Sequence, residues 1–241
     1  MDAIVLAAGR GRRMGALTIK RQKAALAYLG QSLLEYVLNV LITQQNIDQI
    51  WVTVGYRAND TRRILSEVFA DKIQTGKIKV INASCLQRDY FGDIAYSVKE
   101  AKMQNECLVC GIDTRLNPDL YVRFLSHVAT LNTELCMIAS PWLGIAPSHP
   151  ILKVVGDKVV DYIQYPLKQS PISESGWLST TGTRYISGEL LEEIRAHKPD
   201  IVSNIGECIQ RMSTRNSVPR AFIFDEPWLH FGVAYDFVKE T

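Results

Sequence analysis

The sequence contains no run of about 18 consecutive apolar residues, the length that a membrane-spanning helix needs. The pattern of a secretory leader is absent as well, because the first predicted strand already begins at Ala3. The sequence has only five cysteines, an odd number, and they are scattered along the chain, which argues against a disulfide framework. These absences predict a cytoplasmic location and no membrane partner.

An excess of charge of one sign is also missing. The chain has 27 Lys and Arg residues against 25 Asp and Glu residues, so its formal net charge is +2. Nucleic-acid-binding domains are strongly basic, and therefore no nucleic-acid partner is predicted. Cys107 and Cys110 form a C-x-x-C motif on a predicted strand. Because residues three apart on a strand point to opposite faces, we expect two buried thiols there and not a metal site.

What the sequence does contain is an alternation of strand and helix patterns up to residue 140. The predicted strands are Ala3–Ala8, Gln49–Val54, Lys79–Ala83, Glu106–Cys110 and Glu134–Ala139, and the predicted helices are Ser32–Gln44, Asn59–Phe69, Asp93–Lys102 and Pro118–Leu131. Apolar strands joined by helices predict an α/β fold with a Rossmann-like, mixed, mainly parallel sheet flanked by helices.

After Pro141 the pattern changes, and no linker separates the two parts. The later predicted elements are a hairpin of Ile151–Val155 and Lys158–Tyr162, strands at Leu178–Ile186 and Arg220–Phe224, and helices at Glu189–Ala196, Asn204–Met212 and Val233–Glu240. The absence of a linker predicts that residues 1–241 form a single domain.

The loop after the first strand is rich in glycine and in cations but has no acid. Residues 9–23 include Gly9, Gly11 and Gly15 together with Arg10, Arg12, Arg13, Lys20, Arg21 and Lys23. Glycines allow backbone N–H groups to approach a ligand closely, and a bound polyphosphate would remove the repulsion between the cations. The loop is therefore predicted to bind the phosphates of a nucleotide.

The segment from Leu6 to Lys23 resembles the opening motif of the sugar-1-phosphate nucleotidylyltransferases, L-A-A-G-x-G-[ST]-R-[LM]-x-P-L-T-x-x-x-P-K. The spacing is kept throughout. Arg12 replaces a small hydroxyl residue, and Ala16 and Gln22 replace two prolines, so we expect a looser loop with its charges retained. The resemblance implies the GT-A-like fold of nucleotide-diphospho-sugar transferases and an enzyme of nucleotide-sugar biosynthesis.

The resemblance also implies roles for individual residues. Backbone groups of Leu6, Ala8, Gly9 and Gly11 would contact the nucleotide, and Gln87 and Gly92 would read its base. Arg13 and Lys23 would be the catalytic cations, the first for the leaving pyrophosphate and the second for the α-phosphate and the acceptor phosphate. Fixed cations are needed because one phosphate attacks another.

Asp113, which follows the strand Glu106–Cys110, would bind Mg²⁺. The segment from Trp228 to Phe237 resembles the closing motif of the family, but the second metal-binding Asp falls at His230, a poor ligand for Mg²⁺. Four alternatives stay open: a site with one carboxylate, replacement by Asp225 or Glu226, a preference of His230 for Mn²⁺, and a bond from His230 to the acceptor phosphate.

The motifs for the acceptor are altered as well. The E-K-P of the family is Gln164-Tyr165-Pro166, and its N-x-G-x-[YW] runs from Thr180 to Arg184, so that Gly182 and Arg184 are the implied acceptor contacts. Residues 1–140 would form a nucleotide-binding half and residues 141–241 an acceptor-binding half.

These changes leave three functional alternatives open. The partners implied by the resemblance are an NTP and a small phosphorylated acceptor, and an oligomer is compatible with it. The acceptor is either a sugar 1-phosphate or an unusual one, such as a modified sugar, cyclitol or phosphocholine-like phosphate. Otherwise the chain is a nucleotide-binding regulatory relative without activity, or a cytidylyl- or guanylyltransferase that acts on a non-sugar phosphate.

Overall fold

The computed structural model describes residues 1–83, 90–141, 150–163, 176–196, 209, 212 and 217–232. Its helices are α1 (Leu33–Thr43), α2 (Ala58–Val68), α3 (Ala70–Gln74), α4 (Tyr90–Glu100), α5 (Pro118–Val128) and α6 (Gly188–Ala196), and 3₁₀ helices cover Arg12–Thr18 and Lys23–Ala25. The predicted helices Asn204–Met212 and Val233–Glu240 lie outside the described residues, apart from Ile209 and Met212.

Thirteen strands are present in the described ranges. They are β1 (Asp2–Ala7), β2 (Ala27–Tyr28), β3 (Gln31–Ser32), β4 (Ile50–Val54), β5 (Ile78–Asn82), β6 (Cys107–Gly111), β7 (Thr114–Arg115), β8 (Leu135–Pro141), β9 (Ile151–Val155), β10 (Lys158–Ile163), β11 (Trp177–Ile186), β12 (Arg220–Ile223) and β13 (Leu229–His230). Nine of them form one sheet in the order β5-β4-β1-β6-β11-β8-β12-β10-β9. The short strands pair separately as β2 with β3 and β7 with β13.

The sheet is mixed, as predicted. Strands β5, β4, β1 and β6 are parallel neighbours, and β12 is parallel to β8. Strand β11 runs antiparallel between β6 and β8, and β9 and β10 form the predicted hairpin, with Gly156 at a positive φ of 64° in its turn. The parallel half places the carboxyl ends of β1, β4 and β6 at one edge, where ligands of such sheets bind.

Two helix starts confirm the capping signals of the sequence. Ser32 caps α1: its hydroxyl accepts a hydrogen bond from the Glu35 N–H at 3.1 Å, and the Glu35 carboxylate accepts one from the Ser32 N–H at 2.7 Å. Asn117 caps α5, which has Pro118 in its first turn. These caps fix where the chain leaves the sheet edge and turns back along its face.

The core lies on both faces of the sheet, and strand β6 contributes to each. Leu108 and Cys110 pack in one hydrophobic cluster, whereas Cys107 and Val109 pack in the other. Both cysteines are buried free thiols, as predicted, and burial raises the pKa of Cys110 to about 12. Among the described helices, none is both long and apolar enough to cross a membrane.

Candidate active site

Lys23 and Asp113 meet at the edge of the sheet where β1 and β6 end. The Lys23 ammonium donates a hydrogen bond to Asp113 Oδ2 over 2.8 Å, although 90 residues separate the two in the chain. Lys23 is 8% exposed, so its charge is largely withdrawn from water. The two groups for which sequence reasoning predicted catalytic and metal-binding roles therefore form one ion pair.

The backbone around Asp113 fixes the direction of its carboxylate. A Cβ at residue 111 would lie only 2.8 Å from Asp113 Oδ1, so glycine at this position leaves room for the carboxylate. The Asp113 carbonyl accepts a hydrogen bond from the Phe231 N–H at 2.7 Å. Burial acts to raise the pKa of Asp113, but the charges of Lys23 and His230 outweigh it and hold this pKa well below its usual range. The group is an ionised carboxylate.

His230 occupies the position where the resemblance places a second aspartate. Its Nε2 lies 3.8 Å from Asp113 Oδ2, and its backbone pairs with Thr114 where β13 meets β7. A Cβ at residue 232 would overlap the imidazole, so Gly232 leaves the space that the ring fills. His230 is thus beside the predicted metal ligand, but it contributes a nitrogen where an oxygen was expected.

The glycine-rich loop packs directly on Lys23. Gly11 has a left-handed φ of 61°, and a Cβ there would lie 3.2 Å from Lys23 Cβ. In contrast to Lys23, the other five cations of the loop are exposed: Arg10, Arg12, Arg13, Lys20 and Arg21. Because Arg13 is exposed on a 3₁₀ helix, its pyrophosphate role stays a prediction.

The predicted backbone contacts differ in accessibility. Leu6 is buried in β1, Ala8 is half-buried and Gly9 is exposed. A Cβ on Gly9 would meet no atom within 4 Å, so the loop is open to a ligand at this point.

One expectation about the loop is wrong. Gln22, which replaces a proline, was expected to loosen the loop, but its side chain is fully buried and donates hydrogen bonds to the carbonyls of Ala7 at 2.7 Å and Gly9 at 3.1 Å. An amide side chain therefore does what the rigid ring would do, because it fixes the chain by hydrogen bonds.

The loop after β4 also supports the site, and sequence reasoning missed it. The Tyr56 N–H donates to the Ala8 carbonyl at 2.9 Å, and a Cβ at Gly55 would lie 2.7 Å from the same oxygen. The Arg10 guanidinium lies 5.6 Å from the centre of the Tyr56 ring. The available signal was the position of Gly55 at the carboxyl end of a strand that neighbours β1.

The predicted acceptor residues lie on β11, next to Asp113 in the fold. Gly182 has a φ of 81°, in a stretch where the pairing of β11 with β8 shifts register. The Thr114 hydroxyl donates to the Thr181 carbonyl at 2.7 Å, which joins β11 to the residue after Asp113. Arg184 is only 2% exposed, between Val109 and Met137. Roles for Gly182 and Arg184 remain predictions.

Some predicted residues have no described geometry. Gln87 and the segment Gln164-Tyr165-Pro166 lie outside the described residues. Gly92 is in α4, two residues after its start, and its role in reading the base is untested.

A family comparison decides what kind of protein this geometry belongs to. The family model of the MobA-like NTP transferase domain matches residues 3–168, which is more than half of the chain. The chain therefore belongs to the family of the MobA-like NTP transferase domain. The predicted resemblance is thereby confirmed at the level of the nucleotidyltransferases. Members of this family generally use a divalent metal ion.

One curated relative of this chain is named for its acceptor and its donor group. A choline-phosphate cytidylyltransferase of Haemophilus influenzae is 28% identical over 152 residues, which cover 62% of this chain and 59% of the relative. The chain therefore spans less than two thirds of that relative.

Solved structures confirm the predicted fold. A protein described as a glucose-1-phosphate thymidylyltransferase from Bacillus anthracis matches 100% of this chain and 93% of its own, with a TM-score of 0.79 and 14% identity. An inositol-1-phosphate CTP transferase from T. maritima matches 98% of this chain and 90% of its own, with a TM-score of 0.72 and 14% identity. At such identities the likeness shows the nucleotide-diphospho-sugar transferase fold alone.

Proposed function

We propose that this chain transfers a nucleotidyl group from an NTP to a small phosphorylated acceptor and releases pyrophosphate. The observation that carries the proposal is the Lys23–Asp113 pair, which lies against the glycine-rich loop at the edge where β1 and β6 end. A largely buried cation beside an ionised carboxylate, next to a loop of exposed cations, suits two reactants that both carry phosphate. Residues 1–140 would then hold the nucleotide and residues 141–241 the acceptor.

The reaction is an in-line displacement. An oxygen of the acceptor phosphate forms a bond to the α-phosphorus, the bond from this phosphorus to the bridging oxygen breaks, and pyrophosphate leaves with the electron pair. Both partners are anions, so fixed positive charge is the main requirement. Lys23 supplies that charge at a defined place, because its packing on Gly11 and its bond to Asp113 hold the ammonium.

The described residues offer one carboxylate, that of Asp113, for a divalent metal ion. No group of three His, Cys, Asp or Glu side chains that could hold a metal occurs in the described parts of the chain. Mg²⁺ is commonly held by one or two carboxylates together with substrate phosphates and water, and Asp113 offers one ionised carboxylate. Asp113 would thus hold Mg²⁺ or Mn²⁺ together with the NTP, and the ion would neutralise phosphate charge.

For the acceptor, we propose an alcohol phosphate of the choline-phosphate type, with CTP as donor. Thr180 replaces the asparagine and His230 the aspartate that the sugar-1-phosphate enzymes carry on this side. A sequence relative is named for choline phosphate and a cytidylyl group. Together these observations favour a non-sugar acceptor over a sugar 1-phosphate.

A pyrophosphate-release screen tests the proposal. ATP, CTP, GTP, UTP and dTTP are each combined with choline phosphate, inositol 1-phosphate or glucose 1-phosphate, with Mg²⁺ or Mn²⁺. We expect release with CTP and choline phosphate, and loss of it in Lys23→Met. Turnover with glucose 1-phosphate alone would refute the proposed choline-phosphate type of acceptor. The absence of turnover with every pair would refute the proposed enzymatic activity.

The second candidate is a nucleotide-binding regulatory protein, favoured by the imidazole of His230 near Asp113. It predicts that the native chain binds NTP without turnover and that His230→Asp creates activity. Activity in the native chain excludes this candidate.

A further inference from the structure

Gln22 is joined by hydrogen bonds to four different parts of the site. Its side-chain amide donates to the carbonyls of Ala7 and Gly9, and its side-chain oxygen accepts from the Ala24 N–H. Its backbone N–H donates to Asp60 Oδ2 on α2 at 2.8 Å. The side chain is fully buried, and it precedes Lys23 directly. Gln22 therefore connects the end of β1, the glycine-rich loop, the Lys23 segment and a flanking helix.

These bonds determine which way the peptide groups of the loop face. In a trans peptide the C=O and the following N–H point in opposite directions, and cis peptides are absent from the described residues. Because the Gly9 carbonyl is directed at Gln22, the Arg10 N–H is directed away from it. In the same way, the Ala8 carbonyl accepts from Tyr56, so the Gly9 N–H points away from Tyr56. Gly9 and Arg10 are exposed, so these donors lie in an accessible part of the loop.

Asp60 anchors the other end of this arrangement. Its Oδ2 accepts from the Gln22 N–H and, at 3.0 Å, from the Arg57 side chain. A proline at position 22 would have no N–H to give to Asp60. The α2 anchor is therefore available only because this chain has a non-proline residue before Lys23.

We propose that Gln22 is a positioning residue of the phosphate site: it turns the Gly9–Arg10 peptide so that its N–H faces the bound polyphosphate, and it holds Lys23 at Asp113. This inference rests on the proposed function, since it assumes that the loop binds the phosphates of an NTP. Gln22 itself touches no substrate in this proposal, because its polar atoms are all directed at the protein.

The test uses the full chain with Gln22→Met, which keeps the length of the side chain but removes its donors and acceptor. Calorimetric titration with CTP, with inorganic tripolyphosphate and with cytidine separates phosphate binding from base binding. We expect about tenfold weaker binding of CTP and of tripolyphosphate, since hydrogen bonds that orient the loop are lost, and unchanged binding of cytidine. A general loss of structure would weaken the binding of all three ligands to the same extent.

A matched control is Gln44→Met. Gln44 is also a buried glutamine, but it lies at the end of α1 and donates to the Val40 carbonyl. It should leave the binding of all three ligands unchanged. If Gln22→Met does not fold, Asp60→Ala tests the same arrangement from its partly exposed side. We expect this variant to bind CTP and tripolyphosphate about threefold more weakly and cytidine unchanged.

The outcomes separate this inference from the proposed function. If the native chain binds neither CTP nor tripolyphosphate, the proposed function fails and the role of Gln22 fails with it. Only the positioning role is refuted if the native chain binds both ligands and the Gln22 and Asp60 variants bind them equally well. The same holds if the affinity of these variants for cytidine falls as much as their affinity for CTP and tripolyphosphate.

Discussion

Replacing Lys23 with methionine removes the cation of the partly buried ion pair with Asp113. The substitution keeps the length and the apolar contacts of the side chain, so the packing on Gly11 is conserved while the charge is lost. We expect the rate of nucleotidyl transfer to fall by about 10²–10³, the typical effect of removing one positioned charge-stabilising group. We also expect a measurable loss of stability.

The size of the stability loss follows from the geometry of the pair. Two unit charges 2.8 Å apart attract each other by about 6 kcal/mol at an effective dielectric constant of about 20. The cost of removing both groups from water offsets much of this attraction. The side chains are 10% and 27% exposed, between a fully buried pair and a surface pair. A coupling energy of about 1–3 kcal/mol is therefore expected.

The assay is a double-mutant cycle with Lys23→Met, Asp113→Asn and the combined variant, measured by urea unfolding and by pyrophosphate release. Each single variant leaves one group of the pair without its partner, so the double variant should lose about 1–3 kcal/mol less than the sum of the single losses. Activity should stay low in all three variants: Lys23→Met and the double variant lack the cation, and Asp113→Asn lacks the carboxylate proposed to hold the metal ion.

A second ion pair provides the control. Lys72 lies 2.9 Å from Asp71, a similar separation, but these side chains are 39% and 67% exposed. Lys72→Met should change stability by less than about 1 kcal/mol and leave activity unaltered. Additive losses at Lys23 and Asp113 would refute the energetic argument, and full activity in Lys23→Met would refute the catalytic one.

Three further predictions follow from the described geometry. Gly11→Ala should lower the free energy of unfolding by about 1–2 kcal/mol and weaken CTP binding, because φ is positive there and the new Cβ would press on Lys23; urea unfolding and calorimetry measure this. Because the pKa of Asp113 is lowered in the folded chain, its contribution to stability should be complete above about pH 4 and should be lost as the pH falls below this value. The difference in unfolding free energy between the native chain and Asp113→Asn should therefore shrink when it is measured at decreasing pH. Cys107 and Cys110 should resist iodoacetamide at pH 8 and react after unfolding, as judged by peptide mass mapping, because burial raises the pKa of both thiols.

Part of the arrangement around Asp113 could be predicted from the sequence for a simple physical reason. Gly9 and Asp113 each follow the end of a predicted strand, and the carboxyl ends of parallel strands share one edge of the sheet. Lys23 lies further along the same loop as Gly9. The opposite faces of Cys107 and Cys110 follow from the two-residue period of a strand in the same way. In each case a regular repeat carries the information, and the structure confirms both placements.

The supporting contacts could not be predicted in this manner. Strands β7 and β13 are two residues long each, too short to show any alternation, yet their pairing puts His230 opposite Thr114. Gln22 makes hydrogen bonds to four residues, and a glutamine in a polar loop gives no sign in the sequence that it is fully buried. Such contacts depend on tertiary structure, and single-residue patterns do not encode them.

Asp113 is the point where the two parts of the chain meet, and this explains how one side of the site can change while the other is kept. Lys23 reaches its carboxylate from the first part, whereas the Phe231 N–H, the His230 ring and, through Thr114, the Thr181 carbonyl reach its surroundings from the second part. The glycine-rich loop is fixed by contacts with β1, the loop after β4 and α2, which all precede residue 69. If the proposed function is correct, substitutions on β11 can therefore change the acceptor while the contacts that hold this loop stay in place.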